Sequence, residues 1–525
     1  MQTLESFVEG RWQAGTGAQA TLVNPTTGEP VARCSTGGVD MRAALAHARD
    51  VGGPALRRLT FAQRGALLMA ASRALHAQRD ALIELAVLNG GNTRKDAKFD
   101  IDGATATLAA YAEWGAKLGE TQVLLDGEGL QLGRSARLWG QHVWLARHGV
   151  AVHINAFNFP AWGLAEKAAV AWLAGMPVLS KPATATALVA ERVTRILVDA
   201  QVLPAGALSL LCGSVGDLLE HLAGQDVLAF TGSADTGYLL RSKERLLRQS
   251  VRVNIEADSL NAAVLAPDVG PGSETWNLFL RDIVTDITQK AGQKCTAIRR
   301  ILVPHERLAD VEGELTARLA ATVVGNPADE KVTMGPLATA SQLADAKAGV
   351  TKLLGECDAL LGGLSEPPLT GAAPGKGFFF GPVLLKVRDS ARATLVHQHE
   401  VFGPVSTLLP YDGTAQAAAA LVRKGEGSLV ASVFSDERAF VRELVLAIGP
   451  WHGRLYLGSE AMAPYSPGPG TALPATLHGG PGRAGGGEEL GQLRGLALYQ
   501  QRVALEGDRA VIDRMFPPTP RAPSA

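Results

Sequence analysis

Cys295 lies in the run Lys290-Ala-Gly-Gln-Lys-Cys-Thr-Ala, just beyond a stripe of apolar residues. Trp276, Phe279, Leu280, Ile283, Val284 and Ile287 recur at helical spacing and predict a helix over 275–290. Gly292 is expected to end that helix and let the chain turn tightly. The thiol then sits in a connection, where a nucleophile needs access and a stabilised thiolate, and Lys294 is a candidate source of positive potential. A packing cysteine near a helix end is the alternative reading. Glu256, in Val253-Asn-Ile-Glu-Ala-Asp, follows a predicted strand. Open α/β sheets place ligand-contacting groups at such strand ends. It is either a base that activates water or a solvated loop acid beside Asp258. Asn158, in Ile154-Asn-Ala-Phe-Asn-Phe-Pro-Ala-Trp, stands between a strand and a helix. Its amide can donate to an oxyanion or cap the helix. A thiol, a carboxylate and an amide donor would suffice for covalent chemistry on a carbonyl carbon.

The elements that must position these groups alternate. Strands are predicted at 150–154, 177–180, 208–211, 226–230, 251–255 and 262–265. Helices are predicted at 160–174, 186–200 and 218–222, with Pro160 suited to the first helical position and Gly175 closing that helix. A second α/β run follows with the helix over 275–290 and strands at 300–303, 429–434 and 454–457. This pattern predicts an α/β fold of parallel sheets covered by helices. The stretch 123–144 has alternating character and interrupts the first run as a candidate protruding hairpin. Residues 463–487, rich in Gly, Pro and Ala, read as a long loop, and 516–525, with four prolines, as an irregular tail.

Composition narrows the function classes. The chain has 525 residues, 46% hydrophobic and 19% charged, so a large core can form. Lys and Arg number 50 against 51 Asp and Glu, which offers no basic surplus for nucleic acid. The start, MQTLESFVEGRW, has no secretory pattern, and the apolar run at 168–179 carries Gly175 and Pro177 and is too short to span a bilayer. A cytoplasmic protein with no membrane partner is expected. Cys34, Cys212, Cys295 and Cys357 lie far apart without a CxxC pair, so neither a metal site nor a disulfide framework is expected.

One further βα turn, Phe230-Thr-Gly-Ser-Ala-Asp-Thr-Gly, could bring a phosphate to a helix N-terminus, although it is not GxGxxG. Taken together, Asn-Phe-Pro, Ser-Lys-Pro-Ala, Phe-Thr-Gly-Ser, the strand-end Glu, Gly-Gln-Lys-Cys and Glu-Val-Phe-Gly-Pro-Val, in order from Asn158 to Val405, resemble the aldehyde dehydrogenase superfamily. The resemblance extends over nearly the whole chain. It implies two parallel-sheet α/β domains and a small β oligomerisation element. The corresponding boundaries are 1–122 with 148–256 for dinucleotide binding, 257–483 for catalysis, and 123–147 with 484–525 for oligomerisation and tail. It implies Cys295 as nucleophile, Glu256 as general base, and Asn158 with the Cys295 amide as oxyanion hole. Cofactor contacts are implied at Asn155, Ala156, Phe157, Lys181, Thr184, Gly216, Phe230, Gly232, Ser233, Glu400 and Phe402.

Two positions depart from the family pattern. Ala257-Asp258-Ser259 follows Glu256 where the family usually has Gly-Gly-Lys, which bears on the mobility of the base. Thr184 stands where NAD-preferring members commonly carry Glu, so the repulsion of a 2′-phosphate is gone and NADP is expected over NAD. The runs Gln289–Arg300, Gly377-Phe-Phe-Phe-Gly-Pro and His478-Gly-Gly-Pro-Gly-Arg-Ala-Gly-Gly-Gly resemble a narrower branch that acts on CoA-linked semialdehydes in aromatic degradation. A thioester intermediate and a small aldehyde, CoA-linked, are the implied chemistry and partner. The apolar run at 496–503 and the candidate hairpin predict strand pairing between subunits of a homodimer. Two other classes compete. A CoA-acylating dehydrogenase would share the thiol but have little use for Glu256. A non-catalytic binding protein on the same fold would be expected to have lost one of the three groups.

Overall fold

The computed structural model describes residues 1–517. Two seven-stranded sheets dominate it. The first runs in the order Arg252–Glu256, Val227–Thr231, Ala151–Ile154, Val178–Lys181, Leu208–Leu210, Ser6–Val8, Arg11–Gln13. Its first five strands are parallel, and the N-terminal hairpin adds the antiparallel edge. Register brings the functional ends level: Ile154 pairs with Lys181 on one side and Phe230 on the other, and Thr231 pairs with Glu256.

The second sheet runs Cys357–Leu361, Val383–Val387, Val405–Tyr411, Arg300–Pro304, Ala262–Leu265, Ser428–Phe434, His452–Gly458, parallel except for the first pair. The helix Glu274–Thr288 covers one face. Ser273 caps it by accepting from the Trp276 amide, and Trp276, Phe279, Leu280, Ile283 and Ile287 are buried against Ile301, Val303 and Leu408. That burial fixes the end of the helix close to Cys295.

Helix Trp162–Ala174 is apolar nearly all round and is buried between the long helix Arg94–Leu118 and the first sheet. Gly175 ends it in the left-handed conformation, as expected. The helix itself begins at Trp162, two residues after Pro160.

Three expectations change. The helix near Cys295 ends at Thr288, not at Gly292. Gln289–Gly292 is a separate tight turn in which Lys290, Ala291 and Gly292 all have positive φ, at 54°, 51° and 68°. The region 463–487 is not loop throughout: Leu477–Gly480 pairs antiparallel with Gly487–Leu490, and a short 3-10 turn, Gly482–Ala484, joins them. The segment 123–144 does contribute strands, but its long strand Leu138–Ala146 pairs with Gln500–Asp508 of the same chain over nine residues. The two segments expected to meet between subunits therefore meet within one. Gln500–Asp508 is the edge of this sheet. Of the expected irregular tail over 516–525, the part from residue 518 lies outside the described residues. Among the described residues no helix is long and apolar enough to cross a membrane.

Candidate active site

All four cysteines are free, and Cys295 alone is not fully buried. Its loop is held from both sides. Asn261 donates to the Cys295 and Ala297 carbonyls at 2.8 and 2.9 Å. Arg299 donates to the carbonyls of Gly292, Lys294 and Gly403 at 2.9, 3.3 and 2.7 Å. Gly292 is required here twice over: its φ is left-handed, and a Cβ would stand 2.3 Å from the Gly403 oxygen.

Asn158 is not the helix cap. Asp100, on the neighbouring long helix, accepts from the Ala161 and Trp162 amides at 3.3 and 2.8 Å. This leaves the Asn158 amide facing the cysteine loop, where it donates to the Gln293 carbonyl at 3.1 Å. Glu256 is not a solvated loop acid either, for it is 1% exposed at the end of its strand. Asp258 instead caps helix Ala234–Arg241 by accepting from the Ala234 amide at 2.9 Å. The residues after Glu256 are pinned. Ala257 donates to the Ala484 carbonyl at 3.0 Å, and the Ser259 amide to Glu400 at 3.0 Å.

Lys294 does not serve the thiol. Its ammonium is 1% exposed and bound to Asp286 at 2.6 Å and Gln289 at 2.8 Å. The ionisable base beside the sulfur is His478, on strand Leu477–Gly480, with Nε2 3.9 Å from Sγ and 3.3 Å from a Glu256 carboxylate oxygen. His478 opens the glycine-rich run His478-Gly-Gly-Pro-Gly-Arg, and nothing in its sequence context points to a role at the thiol. Three further groups were missed. Lys167 bridges Glu489 at 3.0 Å and Glu166 at 3.2 Å, all three buried or nearly so, behind Glu256.

Electrostatics follow from this packing. Burial pushes the Cys295 thiol well up, and the nearby Glu256 carboxylate adds to it. Burial also disfavours a charged Glu256, but the charge and proximity of His478, with Lys167 beyond, win and hold the carboxyl below its usual range. Burial would lower His478, yet Glu256 outweighs it and raises the imidazole. Glu400 is raised to about 7 by burial, against the pull of Arg299 at 3.3 Å.

Two cavities meet at these groups. A cleft of about 740 Å³ opens at the strand ends of the first sheet. Asn155, Ala156, Phe157, Lys181, Phe230, Gly232, Ser233, Glu400 and Phe402 all line it, together with Asn158, Glu256 and Cys295. Thr184 and Gly216 are not among its lining residues. The Thr184 hydroxyl donates to the Gly213 carbonyl at 3.2 Å, one residue beyond Ala183, which does line the cleft. A narrow second cavity of about 40 Å³ approaches the same sulfur from the other side between Phe99, Phe159, Trp162 and Ala472. Asn158, Glu256 and Cys295 belong to both walls. The large cleft suits a dinucleotide: it lies at parallel strand ends, offers Lys181 and the Ser233 turn, and holds the buried, unpartnered side-chain Oδ1 of Asn155.

A largely buried thiol between a dinucleotide-sized cleft and a slender apolar cavity, on this pair of sheets, defines an enzyme of aldehyde oxidation. The chain belongs to the aldehyde dehydrogenase family, whose pattern it matches over residues 12–449. It is 45% identical over 478 residues to 3,4-dehydroadipyl-CoA semialdehyde dehydrogenase of Aromatoleum evansii, covering 91% of this chain and 93% of that protein. Non-phosphorylating aspartate-semialdehyde dehydrogenase of Halomonas elongata is 26% identical, with 92% of each chain covered. Among solved structures, 3,6-anhydro-L-galactose dehydrogenase in complex with NAP superposes with a TM-score of 0.84 at 21% identity, covering 97% of this chain and 100% of that one. Lactaldehyde dehydrogenase from Escherichia coli superposes with a TM-score of 0.83 at 23% identity, over 96% and 99% of the two chains. These two likenesses establish the fold.

Proposed function

We propose that this protein oxidises a CoA-linked semialdehyde, of the 3,4-dehydroadipyl-CoA semialdehyde type, to its acid, with NADP preferred over NAD. The observation that carries the mechanism is the position of Cys295 at the wall shared by the two cavities, together with Asn158 and Glu256. The aldehyde enters by the narrow cavity, whose Phe99, Phe159 and Trp162 exclude water from its chain. The Cys295 thiol gives its proton to the Glu256 carboxylate, which releases it to solvent before hydrolysis. The sulfur bonds to the carbonyl carbon, and the oxygen takes up negative charge. The Asn158 amide and the Cys295 N–H stabilise that charge. A nicotinamide bound in the large cleft supplies the hydride acceptor. Cys295 then carries a thioester. Glu256 takes a proton from water, whose oxygen attacks the thioester carbon and releases the acid with the thiol restored. Lys181 and Ser233 would hold the ribose and pyrophosphate, and Glu400 and Phe402 the nicotinamide half.

The CoA-linked substrate is supported by the 45% identity to the Aromatoleum evansii enzyme. The NADP preference is supported by Thr184, which brings no carboxylate to the mouth of the cleft. A homodimer joined through the open edge of Gln500–Asp508 completes the reading. The test is a kinetic screen of free and CoA-linked semialdehydes with both cofactors. The CoA-linked compound with NADP should give the highest kcat/KM. Equal values for free aldehydes, or a clear preference for NAD, would reject the respective part. Glu256→Gln should leave a burst of reduced cofactor but slow the steady state about 10²–10⁴-fold, and Cys295→Ala should abolish both.

A further inference from the structure

His478 stands between the two groups that the mechanism uses, and that mechanism gives it no task. Its Nε2 is 3.9 Å from Sγ of Cys295 and 3.3 Å from Oε1 of Glu256, and the reactive atoms of all three lie within 4.8 Å of one another. The residue is 4% exposed, on a strand that the glycines at 479 and 480 bring against the rest of the site. A Cβ at either glycine would collide with backbone about 2.1 and 2.3 Å away, so no bulkier residue could seat the imidazole there.

The charge balance explains the need for it. A buried thiolate requires a cation, and the other candidates are committed elsewhere. Lys294 is bound to Asp286, and Lys167 to Glu489 and Glu166. Arg299 serves loop carbonyls and Glu400, and Arg454 donates to the carbonyls of Thr471 and Pro469. The anions that face the sulfur and the imidazole are Glu256, Glu166 and Glu400. Among the described residues His478 is the cationic group in direct contact with Sγ, whereas Arg299 and Arg454 act on the sulfur only through space.

We infer that His478 is a further catalytic residue, an imidazolium that pairs with Glu256 at rest and with the Cys295 thiolate once the thiol has given up its proton. The step balances without a co-reactant. The S–H bond breaks, the proton passes to the Glu256 carboxylate, and the negative charge moves from oxygen to sulfur. The Nε2–H bond stays intact, and its positive charge is close to both sites, so the pair remains neutral throughout. This assignment rests on the proposed role of Cys295 as nucleophile.

The experiment is the pH dependence of Cys295 alkylation by iodoacetamide in the ligand-free protein, followed by mass, with Cys295→Ala as background. The alkylation midpoint reports the thiolate and needs no turnover. His478→Gln keeps a neutral donor of similar reach. It should raise the midpoint by at least one pH unit and slow alkylation at pH 7 about tenfold or more. Glu256→Gln removes the competing anion and should lower the midpoint. A role in packing alone would change the limiting rate at high pH and leave the midpoint where it was. An unmoved midpoint in His478→Gln overturns the assignment. If that variant does not fold, a Glu256→Gln midpoint no lower than that of the wild type overturns it equally. Turnover by Cys295→Ala would instead defeat the proposed function, so the two failures are distinct.

Discussion

Asp286 and Lys294 offer a sharp test of how the nucleophile loop is built. The carboxylate is on the helix Glu274–Thr288, and the ammonium belongs to the residue before Cys295. They meet at 2.6 Å with side chains 2% and 1% exposed. Asp286→Ala would leave an ammonium in the core with Gln289 as its remaining partner. Breaking a buried pair from one side costs about 3–5 kcal/mol, whereas replacing both partners by apolar groups of similar volume is close to neutral. With ~2–4 °C per kcal/mol for a unit of 150–250 residues, the single variant should melt roughly 6–20 °C lower. Asp286→Leu with Lys294→Met should recover most of that. A chain of several cooperative units does not melt as one, so the comparison is of midpoints for the same calorimetric transition. The double variant should also keep the wild-type pH midpoint for Cys295 alkylation, because the ammonium serves Asp286 and not the sulfur. A single variant melting within about 1 °C of wild type would refute the reasoning. So would a double variant as damaged as the single.

Other perturbations separate packing from chemistry. Asn158→Ala should lower kcat/KM about 10²–10³-fold, with cofactor affinity unchanged in a fluorescence titration. Gly292→Ala would force a Cβ to 2.3 Å from the Gly403 oxygen at a left-handed φ. A loss of about 1–3 kcal/mol in thermal or denaturant melts is expected. His397 accepts from the Arg300 guanidinium at 3.0 Å, and burial, then Arg300 and Lys424, lower its pKa to about 3 from 6.5. The unfolded chain binds this proton more tightly, so the stability is fully present above pH 6.5 and is lost as pH falls toward 3. The slope is about 1.4 kcal/mol per unit. His397→Asn should lose roughly 2–3 kcal/mol less than wild type between pH 6.5 and 4.5 by denaturant melts.

The fold was legible where local pattern and tertiary packing agree. The stripe from Trp276 to Ile287 is a helix because all its apolar residues can be buried on one side, and Ser273 caps it. The parallel strands were legible because their β-branched runs are short and punctuated. Long-range pairing was not. Nothing local in Gln500–Asp508 says that it will lie against Leu138–Ala146, some 360 residues earlier. The turn at Gln289–Gly292 was misread for a related reason. Lys290 and Ala291 carry no signal for a left-handed backbone, and the surrounding packing imposes it. The Lys290 ammonium stacks over the Phe159 ring at 4.6 Å, and Arg299 holds the carbonyl of Gly292.

The site divides along the same line. Glu256 ends a strand, Cys295 follows a helix and Asn158 stands between a strand and a helix, so their positions were readable before their partners were. The protonation states of Glu256 and Cys295 were not, since those depend on each other and on Lys167 and His478, brought together only by the fold. Lys294 is the plain case. Adjacent in sequence to Cys295, it invited pairing with the thiol, but a side chain's direction is set by what its backbone faces, and Lys294 faces Asp286. His478, 183 positions from Cys295, supplies the charge that the neighbouring lysine does not. It reaches the sulfur because Leu477–Gly480 pairs with Gly487–Leu490, and that strand carries Glu489, bonded to Asn254 at 3.1 Å on the strand of Glu256. One hairpin thus delivers both an imidazole to the thiol and a carboxylate to Lys167. Cutting the Asn254–Glu489 link would disturb the base and the nucleophile together, which no spacing in the sequence expresses.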